Sequence, residues 1–330
     1  MGLRNALRYG VLTGLGVALS ALSVGALAQA YPSKPVRIMV GASPGGGVDT
    51  AARMLGQTLG DLWKRPVAIE NRQGDVGMVA AEYAAKAAPD GYTLILCNIA
   101  THAIVPARYG RKIPYHPISD FSFSSMIGTV PNLFMVHPSF PAKTIRDYIR
   151  YARKNPGKVS FGSSGVGGSP HLSIELLKTL TGLDIVHVPY KGASLALADA
   201  GTGHIESSVG NLAGAPLAAV KAGRVRALAV TSAKRSAQLP QVPTFAESGV
   251  PGYDVSSWYG ICTQARVPQP VQSRLTADIH KALSGPLRER LTGQGVEVAP
   301  TTPEDFVTHV KAEISKWTRV VIGARLQVEQ

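Results

Sequence analysis

The sequence predicts an α/β protein of two α/β units, each with a largely parallel sheet covered by helices. Short apolar strand patterns alternate with helical patterns twice along the chain, and glycine- and serine-rich loops follow the predicted strands. The length agrees with this class, because about 300 residues remain after a predicted N-terminal signal, enough for two domains with sizeable cores.

Residues 1–30 are predicted to form a cleavable secretory signal. Arg4 and Arg8 precede an uncharged stretch that ends in small residues, and residues 28–30 supply the A-x-A pattern of a cleavage site. We therefore expect the mature chain to begin at Tyr31 and to reside in the periplasm. An uncleaved membrane anchor is the alternative, which the many Gly, Ser and Ala residues of the stretch disfavour.

The first unit after the signal follows a βαβαβ order, which indicates a parallel sheet with helices on its faces. Its β-branched and apolar runs predict three strands, and the amphipathic segments between them predict two helices. In chain order these elements are strand 36–40, helix 49–62, strand 67–70, helix 78–88 and strand 93–97.

The same alternation recurs from "NLFMVHP" at residue 132. Thr144, with Asp147 three residues later, has the spacing of a helix capping box. The predicted strands of this unit are 159–161, 185–188, 205–209 and 227–230, and the helices 170–181, 194–199 and 212–221. A strand at "SSWYGICT" and helices over 270–294 and 304–322 follow, the last with Thr302 as its cap and Pro303 at its first position.

The charge balance excludes nucleic acid as the favoured partner. The formal net charge is +13, and removal of Arg4 and Arg8 with the signal leaves +11. The basic residues are scattered, without a basic run or interleaved aromatic residues. Small anions or an acidic membrane surface remain as partners of a basic protein.

Cys97 and Cys262 are the only cysteines, and both lie in apolar, strand-like runs. We expect two buried free thiols, because adjacent strands seldom offer disulfide geometry. A disulfide stays open as the alternative, since an exported protein meets an oxidising compartment. Neither cysteine has metal-ligand spacing such as C-x-x-C, so no metal site and no cofactor are predicted.

The loop "GASPGGGVD", which joins the first strand to the first helix, admits three interpretations. Residues 41–45 match the nucleophile-elbow pattern of a serine hydrolase, but Pro44 lacks the N–H that an oxyanion hole needs after Ser43. Residues 45–47 resemble part of a dinucleotide fingerprint, but Thr50 stands where its third glycine belongs. An anion cradle of backbone N–H groups is favoured, and the other two remain remote alternatives.

In the favoured cradle, Pro44 shapes the turn, and Gly45, Gly46 and Gly47 allow close backbone approach to a ligand. Asp49 lies in the first helical turn, where acids commonly cap N–H donors. A contact from Asp49 to an amine on the ligand is the less favoured alternative.

Four more loops follow predicted strands at the edge where ligands bind in open parallel sheets. They are "NRQGDVG", "NIATH" with the candidate residue Asn98, "GSSGVGGSPH" and "VPYKGAS". These loops are almost uncharged and lead into helix N-termini, so they offer converging N–H donors to an anion.

A set of motifs in matching order over residues 31–325 resembles the substrate-binding receptors of tripartite tricarboxylate transporters, the TctC-like or Bug family. The motifs are "YPSKPVRIMVGASPGGGVD", "PVAIENRQG", "AAPDGYTL", "IPYHPISDF", "VSFGSSGVGGSPHLS", "VPYKG", "RALAVTSAKRSAQLPQVPTFAESGVPGYDVSSWYG" and "TPEDF".

The resemblance implies a periplasmic-binding-protein fold of two α/β domains, with the ligand cleft between them and two interdomain crossovers. The implied first domain comprises residues 31–131 plus 254–330, and the second comprises residues 132–253. It also implies hinge closure on a small carboxylate, which a monomeric receptor without enzymatic activity passes to a large and a small TctA/TctB-like permease subunit. A sensor that feeds a signalling partner is the alternative.

Carried over residue by residue, the resemblance places Ser43 through Asp49 in a first-domain cradle. The opposing clamp and its neighbours are Ser163, Ser164, Gly167, Ser169, His171, Tyr190, Lys191 and Gly192. For His171 and Tyr190, a role in helix start or core packing is an equal alternative. The chain departs from the family pattern at Asp75, which adds a negative charge near the rim, and at Cys97, where a glycine is usual.

Overall fold

The computed structural model describes residues 31–326, with the side chain of Asp75 excepted, and the predicted signal at 1–30 lies outside this range. The first βαβαβ unit forms as predicted, with ends that shift by up to three residues. Its elements are β1 (Val36–Val40), α1 (Gly47–Trp63), β2 (Val67–Asn71), α2 (Met78–Ala85) and β3 (Thr93–Asn98). A π-helix (Ala100–Ile104) and the short helix α3 (Val105–Tyr109) follow β3.

The second unit opens with β4 (Phe121–Val136), a strand of 16 residues that begins before the run "NLFMVHP" at residue 132. The other elements are α4 (Ile145–Lys154), β5 (Ser160–Ser163), α5 (Ser169–Thr181), β6 (Val186–Pro189), α6 (Ala193–Thr202), β7 (Ser207–Asn211), α7 (Gly214–Lys221) and β8 (Arg226–Val230). The predicted capping box forms at α4, where Thr144 Oγ1 accepts the Asp147 N–H at 3.1 Å.

The remainder comprises β9 (Ser256–Gln264), α8 (Gln269–Leu283), α9 (Pro286–Gly293), β10 (Glu297–Val298) and α10 (Pro303–Gly323). The single helix predicted over 270–294 is thus two helices, because Gly285 and Pro286 start a new helix. Thr302 caps α10 by accepting the Asp305 N–H at 3.1 Å. No helix within residues 31–326 is both long and apolar enough to cross a membrane.

Strand order in the sheet is β2-β1-β3-β9-β4-β7-β5-β6, with β8 and β10 also paired to β4. Strands β1, β2 and β3 are parallel, as are β5, β6 and β7. The long strand β4 joins these two parallel sets: its residues up to Pro131 pair with β9, and its residues from Asn132 pair with β7. The carboxyl ends of both parallel sets therefore face the region where β4 changes partners.

The expectation of two free thiols is wrong. Cys97 of β3 and Cys262 of β9 form a disulfide, with their Cα atoms 6.0 Å apart. The two strands are antiparallel neighbours in which Cys97 is opposite Gly260 and Ile95 is opposite Cys262, so the cysteines face each other diagonally across the pair. Because residues two apart on a strand share a face, this offset keeps both sulfur atoms on one side of the sheet, and the Cα separation lies within the range for a disulfide.

Candidate ligand-binding site

A cleft of about 450 Å³ lies where the loops that follow β1, β2, β3 and β5 converge, above the start of β9. Its volume falls within the range of small-molecule sites. Within the described part of the chain, no residue that lines this cleft carries a charged side chain. A ligand held there would bind to backbone groups, hydroxyls and amides.

The loop between β1 and α1 contributes one wall. The Ser43 carbonyl accepts the Gly46 N–H at 3.3 Å, which closes a tight turn with Gly45 at φ +79°. Gly46 is the N-cap of α1, and no side chain caps this helix. The first-turn N–H groups of α1 therefore remain available to an anion. Ser43 Oγ donates to Gln73 Oε1 at 3.0 Å, so its observed partner is an amide rather than a catalytic base.

Asp49 supports this wall from behind. The side chain is 2% exposed. Its Oδ2 accepts from the Gly45 N–H and from Arg53 Nε, both at 2.8 Å, and its Oδ1 accepts from Asn71 Nδ2 at 2.9 Å. Burial by itself would raise the pKa of Asp49, but the hydrogen bonds from Arg53, Gly45 and Asn71 outweigh it and hold the pKa below its usual value. Asp49 thus fixes the cradle in place as an ionised carboxylate.

The loop between β5 and α5 forms the opposing wall. Its cleft-lining residues include Ser164, Gly165 and Ser169. Gly168 is the N-cap of α5, and this helix also lacks a side-chain cap. Gly167 is buried at φ +83°, and a Cβ there would collide with the guanidinium of Arg108, which comes from α3. Two uncapped helix N-termini therefore meet across the cleft.

A pair of stacked histidines holds the second loop. The rings of His171 and His187 lie 3.9 Å apart between centroids. His171 Nδ1 accepts the Gly167 N–H at 3.1 Å, and His187 Nε2 lies 2.7 Å from Ser163 Oγ. Burial lowers the pKa of His171 to about 3, helped by His187, Arg108 and Lys178. Burial, with Lys178, lowers the pKa of His187 to about 4. With pKa values this low, both rings are neutral near neutral pH.

A polar network crosses the floor of the cleft. Asn211 Nδ2, at the end of β7, donates to Asn132 Oδ1 and to Ser257 Oγ, both at 3.0 Å. Ser169 Oγ accepts from Asn132 Nδ2 at 3.0 Å and from Ser257 Oγ at 3.1 Å. The network ties β4, β7 and β9 to the first residue of α5, at the point where β4 changes partners.

Tyr259 of β9 divides the cleft from a second chamber of about 190 Å³. Tyr259 and Asn211 line both spaces. The second chamber also touches the glycine run of the first loop and the N-terminal residues of α6 and α7. Burial raises the pKa of Tyr259, so its hydroxyl stays protonated and can serve as a hydrogen-bond donor.

The structure places the predicted residues in three groups. Ser43, Asn98, Ser164 and Ser169 line the cleft, and Gly45, Gly46 and Gly47 line the second chamber. Within the described residues, the linings of the two spaces do not include Pro44, Asp49, Ser163, Gly167, His171, Tyr190, Lys191 or Gly192. Tyr190 instead donates its hydroxyl to Asp199 Oδ2 at 2.6 Å.

Sequence reasoning missed Asn211, Ser257 and Tyr259. The segment "GNLAG", residues 210–214 at the end of β7, carries the same signal as the chosen loops, since it is a glycine-rich, uncharged connection from a strand to a helix. Ser257 and Tyr259 carry no such signal, because they lie within β9, where alternation identifies a strand and not a site.

Two α/β units with an uncharged cleft formed by strand-end loops have the architecture of a small-molecule binding site. A family model for the tripartite tricarboxylate transporter family receptor, TctC, matches residues 51–326. The chain belongs to this family, as its motifs predicted. The periplasmic-binding-protein fold with two domains is likewise confirmed.

Three known proteins illustrate the similarity. Protein BugT of Bordetella pertussis is 32% identical over 326 residues, which cover 98% of this chain and 100% of BugT. A structure of an R. palustris protein with adipate is 36% identical with a TM-score of 0.81, covering 89% of this chain and 98% of that one. MatC of Rhodopseudomonas palustris with bound malate is 30% identical with a TM-score of 0.78, covering 88% and 100%.

Proposed function

We propose that this protein is an extracytoplasmic receptor that captures a small carboxylate and delivers it to a tripartite tricarboxylate-type membrane transporter. The observation that carries the proposal is the pair of uncapped helix N-termini beside a cleft without charged lining residues: α1 reaches the cleft through Val48, and α5 through Gly168 and Ser169. Family membership and the adipate and malate in related structures support it.

The physical basis is the electrostatics of helix ends. Each N-terminus carries about half a positive elementary charge and a set of N–H donors without helical acceptors. In a partly buried site each contributes up to about 2 kcal/mol to anion binding. Two carboxylate groups on a short chain would match two facing termini, so C4–C6 dicarboxylates are the first ligands to test.

The role of the cleft in ligand binding can be tested by adding a side chain at the N-cap glycines. Gly168→Val should weaken dicarboxylate binding at least tenfold, because the new side chain occupies space beside the α5 N-terminus. The backbone allows the change: Gly168 has φ −76°, and a Cβ there would lie 3.6 Å from its nearest neighbours. Gly46→Val, at φ −74°, tests the second chamber in the same way.

The measurement is a thermal-shift titration of the mature protein with adipate, malate and related acids. At a hundredfold excess over Kd, binding stabilises the protein by about 2.7 kcal/mol, or roughly 5–10 °C in Tm. Gly285→Val is the matched control, since Gly285 is also an N-cap glycine in extended conformation, at α9 outside the cleft. The carboxylate proposal fails if no acid raises the Tm of the parent protein. It also fails if the Gly168→Val variant binds the best acid as tightly as the Gly285→Val variant does.

Delivery and location need separate measurements. We expect cells that lack this protein to lose uptake of the best ligand at low concentration, and the parent gene, but not the Gly168→Val variant, to restore it. If the protein is a sensor, cells that lack it should keep uptake of the ligand and lose a response to the ligand.

Export is tested by N-terminal sequencing of the protein from a periplasmic extract. The exported protein should begin at Tyr31, and exported protein that begins at Met1 would contradict cleavage.

A further inference from the structure

Three potential metal-ligating side chains meet in the core away from the cleft. The sulfur atoms of Cys97 and Cys262 and a ring nitrogen of His102 all lie within 4.8 Å of one another. All three residues are fully buried. Cys97 and Cys262 lie on β3 and β9, and His102 is in the π-helix that follows β3.

The ring of His102 is oriented by its other nitrogen. His102 Nδ1 lies 2.8 Å from Thr101 Oγ1, which in turn lies 3.2 Å from the Asn98 carbonyl oxygen. With the proton on Nδ1, the imidazole donates to Thr101 and the Thr101 hydroxyl donates to Asn98. This tautomer leaves the Nε2 lone pair free. Among the residues that the structure describes, His102 Nε2 has no hydrogen-bond partner.

An unpartnered polar atom in a dry core is unusual, because a buried group without a hydrogen bond costs free energy. The rings of Phe121 and Phe123 pack edge to face with the His102 ring, at centroid distances of 4.6 Å and 5.8 Å. They surround the imidazole with apolar surface. Metal-ligating histidines commonly show this arrangement, in which one nitrogen is hydrogen-bonded and the other is presented to the metal.

We propose that reduction of the Cys97–Cys262 disulfide converts this cluster into a three-donor site for a thiophilic d10 cation, with Cu(I) as the best-matched ion. A two-electron reductant, a dithiol or a phosphine, breaks the S–S bond, and each sulfur takes one proton. The cation then displaces both protons, forming two metal–sulfur bonds and one bond to His102, for which the unpartnered Nε2 is the available donor. The metal replaces a covalent cross-link between β3 and β9 with a coordinate one.

The number of donors distinguishes the candidate ions. Thiolates select Cu(I) and Zn(II) over harder cations. Zn(II) in structural sites takes four ligands, whereas Cu(I) also accepts three. The cluster within the described residues has three members, all of them buried. Cu(I) should therefore bind more tightly than Zn(II).

The test uses mature protein reduced with a phosphine, after thiol titration has verified two thiols per chain. We expect one equivalent of Cu(I) to bind in competition with a chromophoric chelator, to give a thiolate-to-copper charge-transfer band in the ultraviolet, and to restore the Tm that reduction lowers. The oxidised protein should bind none, and Zn(II) should bind at least tenfold more weakly than Cu(I).

Variants separate the site from adventitious binding. Cys97→Ser with Cys262→Ser should abolish binding, and His102→Gln should weaken it at least tenfold. His309→Gln is the matched control, because His309 also has a buried Nε2 without a hydrogen-bond partner among residues 31–326, but it packs on Trp258 and not on the sulfurs. The proposal is overturned if the folded protein resists reduction, if the reduced protein does not bind Cu(I), or if His102→Gln binds as His309→Gln does.

Discussion

At the scale of single residues, the binding properties of the cleft depend on side chains that do not line it. Behind the first loop, the Asp49 carboxylate accepts hydrogen bonds from the Gly45 N–H and from the side chains of Arg53 and Asn71. Ser163 and His187 do the same for the second loop through a contact of 2.7 Å. Such residues set the position of the helix N-termini, and small errors of position are costly in an electrostatic site.

Asp49→Asn should weaken the binding of every carboxylate ligand by a similar factor. The amide would turn one donor toward the Gly45 N–H or Asn71 Nδ2, where the carboxylate accepts, so unfolding free energy should also fall by about 1.5–3 kcal/mol. Urea denaturation and ligand titration measure the two effects. Asp61→Asn, an exposed position on the same helix, is the control. Loss confined to amine-bearing ligands would instead assign Asp49 a direct ligand contact.

At the scale of elements, β4 and β9 connect the two parallel sets of strands. They pair with each other over Phe121–Pro131, and β9 is joined to β3 by the disulfide. The floor network adds hydrogen bonds from β4 and β9 to β7 and α5. Through these links, β4 and β9 support the loops above the centre of the sheet.

Removing the disulfide tests that support. Cys97→Ala with Cys262→Ala should lower the unfolding free energy by about 2–4 kcal/mol, because a cross-link between residues far apart in sequence restricts the unfolded chain. Urea denaturation of both proteins gives the difference. Thiol titration of denatured, unreduced parent protein should find no free thiol, and two thiols per chain would restore the sequence-based expectation.

At the scale of the whole molecule, we propose that the domain boundaries lie at residues 131/132 and 253/254, as the sequence predicts. The change in β4 pairing from β9 to β7 between Pro131 and Asn132 supports the first of them. Hinge closure at these crossovers would bring the two helix N-termini together around a ligand.

The stacked histidines contribute to the pH dependence of global stability. In the folded protein the pKa of His171 is about 3 and that of His187 about 4, whereas an unfolded histidine has a pKa of about 6.5. The unfolded state therefore binds more protons between these values. Stability should be full above pH 6.5 and should fall as the pH drops toward 4, by up to about 1.4 kcal/mol per pH unit for each histidine.

Urea midpoints at pH 7.5, 6 and 5 measure this slope. His187→Gln should reduce it, because one neutral buried imidazole is removed. His204→Gln, at a side chain that is 75% exposed, should leave the slope unchanged. A parent protein equally stable at pH 5 and 7.5 would contradict the buried neutral state of the pair.

The sequence by itself determined the local structure and the family. Apolar periodicity predicted both α/β units, and Thr144 and Thr302 marked helix starts that the structure reproduces. Because carboxyl ends of parallel strands share one edge, glycine-rich strand ends predicted four of the loops that line the cleft, but not the segment at Asn211. These signals depend on neighbours along the chain, which a single sequence displays directly.

Only the tertiary structure decided which distant residues meet. The length of β4, the pairing of Cys97 with Cys262, and the approach of Tyr259 and Asn211 to the cleft all follow from strand register and sheet order. The same holds for Arg108 against Gly167 and for His102 beside the sulfurs. Side-chain alternation tells which face of a strand is buried, but the energy that selects its partner and register comes from contacts between segments far apart in sequence.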